Sequence, residues 1–495
     1  MNPVRVRFAP SPTGDTHLAS ARTALYNYLL ARQTGGQFIL RIEDTDQKRY
    51  VPGADKELMD SLHWLGIDWD EGPEVGGPHG PYYQTQRKAI YQEYAQKLID
   101  TGYAYYCFCT PERLEQVRQE QKSRKENPRY DGLCRRLDPG EAAKRVASGE
   151  RHVVRFKVPD TGVVTAHDLL RGDITVDYSA LDDHVIVRSD GLALYHFAAM
   201  VDDHLMGITH VIRGDDWIPS LPLHVLIIRA FGWQEPIWVH LSIFLKPSGN
   251  GKMSKRDSDQ ARLDGYSIFI KDMEKLGYIP EGVINWIALM GWSYDDHTEF
   301  FTMQDLIEKF SMDHLNPAPA AIDFTKFDYF NGLHIRHLSR EDLARRLAPF
   351  IINAGYKLNE EKLYGAVPFI KPRLVTLDDV IPVAGFLFKD DVSPNPSELV
   401  GDNLTPAESA KIAREAYRIL SGLPEINKDL GEPPLRNLVE QLGLKAGQVF
   451  GIIRVAVTGQ KNSPPLFECM EIIGKGKVLE RIKNAAEILQ KMPNP

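Results

Sequence analysis

The sequence predicts an α/β protein with a parallel-sheet domain in its first half, an insertion in that domain, and an all-helical final third. Three observations carry this reading. Residues 4–45 run strand, helix, strand, a βαβ unit whose crossover makes the strand pair parallel. The same texture returns at LALYHFAAMVDDHLMGITHVIRGDDW, residues 192–217. From about residue 330 onward the apolar spacing is helical, broken by short turns such as GLPEIN and GEPPLRN.

Taken in order, Val4, Val6 and Phe8 alternate with Arg5 and Arg7, the period of a strand with one apolar and one polar face. Pro10 and Pro12 end it. HLASARTALYNYLLAR, residues 17–32, has helical spacing, and Gly35 and Gly36 stop it. QFILRIEDTD then resumes as a strand running into an acidic loop. Helical patterns follow at ADKELMDSLHWLGI and RKAIYQEYAQKLIDTG. From YAYYCFCTPERL the character changes: Cys107, Cys109 and Cys134 bracket a polar segment, and strand-like runs HVVRFKV, ITVDYSA and DHVIVRS read as an insertion in the sheet domain. A glycine-rich loop, LKPSGNGKMSKRD, leads into mostly helical sequence from about residue 260.

Composition narrows the class. The 495 residues exceed what one core holds, so several domains are expected. No apolar run is long enough to span a bilayer, and MNPVRVRFAPSPTG is neither a secretory signal nor an amphipathic presequence. Four cysteines do not make a disulfide framework in a chain this long, so a reducing cytoplasm is expected. A net charge of −8 argues against non-specific coating of nucleic acid but leaves room for a local RNA-binding face.

Two stretches carry chemistry. GDTHLASART places His17 at a helix entrance whose free N–H groups and positive dipole end suit a phosphate, with Ala19 and Ser20 leaving room for a flat base or ribose. The alternative is a plain capped helix, with Asp15 or Thr16 as cap and His17 an ordinary surface residue. GKMSKRD, residues 251–257, offers Lys252, Lys255 and Arg256 in a Gly/Ser-rich loop able to follow charge on a triphosphate. It is not a P-loop, and alone it also reads as a solvated basic loop.

Together they say more. A PxPTGxxHL entrance after the first strand, paired with KMSKR, resembles the ATP-binding signatures of class I aminoacyl-tRNA synthetases. The landmarks RFAPSPTG, RIEDTD, GPYYQTQR, LALYHFAAMVDDHLMGITHVIRGDDW and FDYFNGLHIR, in that order, resemble the bacterial-type glutamyl-tRNA synthetases over nearly the whole chain. The resemblance implies a Rossmann-like catalytic domain at 1–110 and 190–255, an acceptor-end-binding insertion at 111–189, a helical stem-contact domain at 256–335 and a helical anticodon-binding domain at 336–495. It implies ATP-dependent ligation of L-glutamate to tRNA-Glu through a glutamyl-adenylate, with Mg²⁺, by a cytoplasmic monomer with no membrane partner. Arg7, Ala9, Ser11, Glu43, Tyr195 and Arg213 match the glutamate site. His17, Ala19, Ser20, Lys252, Met253, Ser254, Lys255 and Arg256 match the ATP site, with His17, Lys252 and Lys255 catalytic and Lys255 the favoured loop contact. Physics agrees with these types, because a dianionic amino acid is best held by planar bidentate arginines, which also gain less from the neutral amide of glutamine. Arg373 in KPRLVTL matches an arginine that in relatives helps tell tRNA-Glu from tRNA-Gln, so the enzyme is expected to discriminate.

Two departures from the family pattern stand out. Ala19 occupies a position that is usually glycine. Cys107, Cys109 and Cys134 match three positions of a zinc site known in some relatives, but the fourth position is Arg136, which cannot ligate, and Tyr130 would be an unusual substitute. Buried or idle thiols are therefore expected, with a structural zinc the less favoured alternative. The rivals are a non-discriminating enzyme that also charges tRNA-Gln, a glutaminyl enzyme, whose anticodon region would be a β-barrel, and a non-catalytic tRNA-binding paralogue.

Overall fold

A computed structural model describes residues 3–253, 257, 260–261 and 264–493. It contains two compact units: the chain through Met273 with Val283–Phe324, and Glu274–Gly282 with the chain from Thr325 onward.

The first unit opens with the expected crossover. Strand β1 (Arg5–Phe8) leads through α1 (Leu18–Thr34) to β2 (Gln37–Leu40), and the strands pair in parallel with Arg5 opposite Gln37 and Phe8 opposite Leu40. Gly35 caps α1 in the left-handed conformation at φ 61°, where glycine has no Cβ to clash. Gly36 follows so close to the Val4 carbonyl that any side chain there would collide with it. This is what lets the helix fold straight back onto the strand.

Helices α2 (Ala54–Trp64) and α3 (Lys88–Asp100) follow, then an antiparallel three-stranded sheet of β3 (Ala104–Cys107), β4 (Val153–Phe156) and β7 (Val185–Val187). Helices α4 (Pro111–Ser123) and α5 (Pro139–Ala147) lie between β3 and β4 in sequence. A second sheet has the order β6–β5–β9–β8, with β5 Val163–Asp168, β6 Gly172–Asp177, β8 His210–Gly214 and β9 Ile237–Leu241. Helices α6 (Tyr195–Leu205) and α7 (Leu221–Ala230) cover it. Strand β5 was not foreseen, although it lies within the span expected to be an insertion. It pairs in parallel with β9 at Asp168 opposite Trp238. Strands β8 and β9 pair in parallel with Arg213 opposite His240, and β1 joins this layer through Thr209 N–H to the Arg5 carbonyl at 2.9 Å.

Alternation along β1 predicts a wet arginine face. Instead Arg7 is 3% exposed, its guanidinium held against Asp203 of α6 at 3.1 Å. Parallel strands covered on both faces bury both alternating sets, and a charged residue there must then be paired.

The second unit is helical as expected, with helices at Arg340–Asn353, Glu360–Ile370, Pro406–Ser421, Lys428–Leu442, Ala446–Thr458, Leu466–Ile473 and Lys475–Lys491. Their inward leucines, isoleucines and valines form one core, from Leu343 and Leu347 to Ile482 and Leu489. Thr405 and Glu408 close a reciprocal capping box at the head of one of these helices. Among the described residues no helix is long and apolar enough to cross a membrane.

Candidate active site

The entrance to α1 is built differently from the capped helix of the sequence reading. Neither Asp15 nor Thr16 is the cap. His17 is, with extended backbone and its Nδ1 accepting the Ala19 N–H at 3.1 Å. Thr16 is drawn aside, its N–H and Oγ1 both donating to Glu57 Oε2 at 3.0 and 2.9 Å. An accepting Nδ1 places the proton of the neutral ring on Nε2. Burial and the nearby Lys252 charge lower the His17 pKa to about 4, so the ring is neutral at physiological pH and Nε2–H is a donor. The edge of Phe269 holds the ring, with centroids 5.7 Å apart.

His17, Ala19 and Thr23 share a cavity of about 100 Å³ with Gly214, Asp216, Phe244, Lys252 and Met253. Ala19 thus stands in the wall, whereas Ser20 is half-buried and gives its N–H to the His17 carbonyl at 2.9 Å. Lys252 pairs with Asp216 at 2.8 Å, both side chains well exposed. Ser254, Lys255 and Arg256 lie outside the described residues. Sequence reasoning missed Arg22 in the same wall. Its guanidinium lies 4.0 Å from the Phe244 ring centroid and donates to the carbonyls of Met290, at 2.8 Å, and Ser242. A signal existed: Arg22 falls on the apolar stripe Leu18, Ala21, Leu25.

Behind β1 lies a buried charge network. Arg7 Nε donates to Asp203 Oδ1 at 3.1 Å, and Arg41 reaches Asp203 at 2.8 Å and Glu43 at 3.0 Å. Asp202 receives Arg87 Nε at 2.7 Å, Gln84 at 2.9 Å and the Tyr91 hydroxyl at 2.8 Å. Three guanidinium groups face three carboxylates, so the cluster is balanced, as buried ions must be. Glu43 fares worst: burial pushes it up to about 7, against the pull of Arg41 and Arg7. Asp203 stays below its ordinary value, because Arg7 and Arg41 outweigh its burial.

Tyr195 begins α6, its ring 4.2 Å from that of Trp217. Burial first and the Glu43 charge second push its phenol up to about 12, so it stays a neutral O–H donor. Arg213 on β8 is 4% exposed and has Tyr195, Arg7 and Asp203 as electrostatic neighbours. Arg7, Glu43, Tyr195 and Arg213, scattered over the sequence, therefore share one electrostatic neighbourhood. Ala9 and Ser11 lie on the exit loop of β1, Ala9 half-buried and Ser11 exposed. Such a site presents two guanidinium groups, one phenol and one carboxylate, the complement of a small zwitterion with an extra carboxylate.

Arg373 is exposed in a short 3₁₀ turn, Lys371–Arg373, with Arg454 close enough to feel its charge. Cys107, Cys109 and Cys134 converge, their sulfurs within 4.8 Å of one another. Arg136 is exposed, and it is Tyr130 that completes the group, its hydroxyl 3.5 Å from Cys107 Sγ and 3.7 Å from Cys109 Sγ.

A profile for the catalytic domain of class I tRNA synthetases (E and Q) matches residues 3–329, and an anticodon-binding-domain profile matches residues 342–486. The glutamate–tRNA ligase of Dehalococcoides mccartyi strain CBDB1 is 42% identical over 497 residues, spanning 99% of this chain and 99% of its own. That of Borreliella burgdorferi is 44% identical over 493 residues, spanning 98% and 99%. The crystal structure of a glutamate tRNA ligase from Elizabethkingia meningosepticum in complex with its amino acid superposes with a TM-score of 0.89 at 36% identity, covering 98% of this chain and 99% of that one.

Proposed function

The chain belongs to the class I tRNA synthetases for glutamate and glutamine, and on that premise we propose how its residues ligate L-glutamate to the 3′ end of tRNA-Glu. The reaction has two steps. The α-carboxylate of glutamate attacks the α-phosphorus of ATP, the bond to the β-phosphate breaks, and pyrophosphate leaves. A hydroxyl of the 3′-terminal adenosine then attacks the acyl carbon of the adenylate and AMP leaves. No residue acts as nucleophile, so the protein contributes position and charge.

Arg7 and Arg213 take the carboxylates, Glu43 takes the ammonium, the Tyr195 hydroxyl adds a neutral donor, and Ala9 and Ser11 line the strand exit. The observation that carries this reading is the convergence of Arg7, Glu43, Tyr195 and Arg213 in one buried neighbourhood. Glutamine loses there because its amide offers donors where the guanidinium groups need acceptors. His17 Nε2–H and the positive dipole end of α1 meet the phosphates. Ala19, Ser20 and Met253 border the nucleotide, and the resemblance assigns Ser254, Lys255 and Arg256 to ATP as well. Among the described residues the Lys252 ammonium is held by an exposed ion pair worth about 1 kcal/mol or less, so a triphosphate displaces Asp216 readily. Mg²⁺ accompanies ATP and adds neutralising charge.

The 111–189 span takes the acceptor end, 256–335 the stem and 336–495 the anticodon. Arg373 sets the preference for tRNA-Glu over tRNA-Gln, and the enzyme works as a cytoplasmic monomer. The convergence of Cys107, Cys109, Cys134 and Tyr130 favours a metal over idle thiols: three thiolates, with the phenol oxygen as an unusual fourth donor, would hold a structural zinc and pin the start of the insertion to β3. The assay is pyrophosphate exchange. Exchange that requires glutamate and tRNA supports an enzyme of this type, whereas tRNA binding without exchange under any combination identifies a non-catalytic paralogue.

A further inference from the structure

Arg213 is held by a chain of side chains whose hydrogens can be placed by elimination. A guanidinium only donates. Its Nε–H donates to His240 Nε2 at 3.0 Å, so that nitrogen is bare and the His240 proton sits on Nδ1. Nδ1–H donates to Asp168 Oδ2 at 2.7 Å. On its other arm Arg213 Nη2 donates to His224 Nδ1 at 3.0 Å, so His224 carries its proton on Nε2 and passes it to His196 Nδ1 at 3.0 Å. The two imidazoles thus hold opposite tautomers around one guanidinium.

Asp168 is fixed in turn. Oδ1 accepts the N–H groups of Leu170 and Arg171 at 3.0 Å each, and Oδ2 accepts the backbone N–H of His240 at 3.1 Å besides its ring. Asp168, His224 and His240 are all completely buried. Burial keeps His224 and His240 below the ordinary histidine range, so neither adds a positive charge beside Arg213. Arg213 Nη1 is buried with no partner among the described residues.

We infer that Asp168, through the tautomer it imposes on His240, and His224 from the opposite side are positioning residues that orient Arg213 so that Nη1 is free for a carboxylate of the bound glutamate. This rests on Arg213 belonging to the glutamate site. An asparagine at 168 has one acceptor for four donors. With its oxygen toward Leu170 and Arg171, its NH₂ faces His240 Nδ1, the ring proton moves to Nε2, and two donors oppose each other at Arg213.

The chain predicts a crossed pattern of rescue. A glutamine oxygen can replace Nε2 of an imidazole and an asparagine oxygen can replace Nδ1. His240→Gln and His224→Asn therefore keep an acceptor for Arg213, while His240→Asn and His224→Gln lose it. Aminoacylation with the full-length enzyme and tRNA would give KM for glutamate and for ATP for all four variants and Asp168→Asn. Loss of one hydrogen bond to a charged group raises the glutamate KM about tenfold to a hundredfold. That rise is expected in His240→Asn, His224→Gln and Asp168→Asn, with ATP KM unchanged, and glutamate KM near wild type in the other two. The same order of Asn and Gln at both positions, or Asp168→Asn with wild-type glutamate KM, overturns the inference. Wild-type enzyme that charges no glutamate would instead remove the reading it rests on. Histidine-selective ¹⁵N spectra of the wild-type protein give a second reading that needs no variant to fold. They should show His240 protonated on Nδ1 and His224 on Nε2, and the reverse assignment contradicts it.

Discussion

The role proposed for Glu43 would make glutamate binding depend on pH inside the physiological range. Its carboxyl is pushed up to about 7 by burial, and only the ionised form can hold the substrate ammonium. Acidification through pH 7 therefore weakens binding. A group with that pKa is about half ionised at pH 7, about one-tenth at pH 6 and about nine-tenths at pH 8. The apparent KM for glutamate should rise about fivefold from pH 7 to pH 6 and fall about twofold from pH 7 to pH 8. Free glutamate keeps one net charge over this interval, and His17, lowered to about 4, stays neutral throughout. The assay is initial-rate aminoacylation at saturating ATP and tRNA from pH 6 to 8, repeated with Glu43→Gln. The variant should bind glutamate weakly at every pH and lose the pH dependence. A wild-type glutamate KM that is flat from pH 6 to 8 would refute the assignment of Glu43 to the ammonium. For folding the sign is opposite: a carboxyl raised above its unfolded value stabilises the protein below the unfolded pKa and loses that contribution as pH climbs toward 7.

Asp203→Asn leaves Arg7 and Arg41 without their shared counterion in a buried site, and should lower unfolding stability by about 3–5 kcal/mol; a change below about 1 kcal/mol by urea titration would show the network to be solvated. Ala19→Gly should leave activity equal or higher, since it only removes a methyl from the cavity wall, and a large rise in ATP KM would mean the nucleotide lies elsewhere. Metal analysis of purified protein should give one zinc per chain, reduced by Tyr130→Phe; a metal-free, fully folded protein would return the three thiols to packing.

The sequence made the architecture legible where periodicity is local. The crossover through α1 and the helical final third fall where their apolar spacing puts them. It failed where burial depends on neighbours distant in the chain. Arg7 alternates with apolar residues and so reads as solvent-facing, yet it is buried against Asp203 of α6. The helix cap was sought among Asp15 and Thr16, the usual capping types, and the imidazole of His17 does the work instead. Asp168, His224 and His240 left no trace, because one residue on each of two strands and a helix, brought together by parallel register, makes no motif. Tyr130 was named and set aside as an unusual ligand for a similar reason: the 3₁₀ turn that swings Cys134 beneath its hydroxyl has no sequence signal.

The most direct test of the whole account is a charging experiment with purified enzyme, glutamate and glutamine each offered with tRNA-Glu and with tRNA-Gln. A site of two arginines, a phenol and Glu43, coupled to an anticodon reader carrying Arg373, predicts efficient charging only of tRNA-Glu with glutamate. Glutamine attached to either tRNA would contradict the amino-acid site, and glutamate attached efficiently to tRNA-Gln would contradict the role given to Arg373.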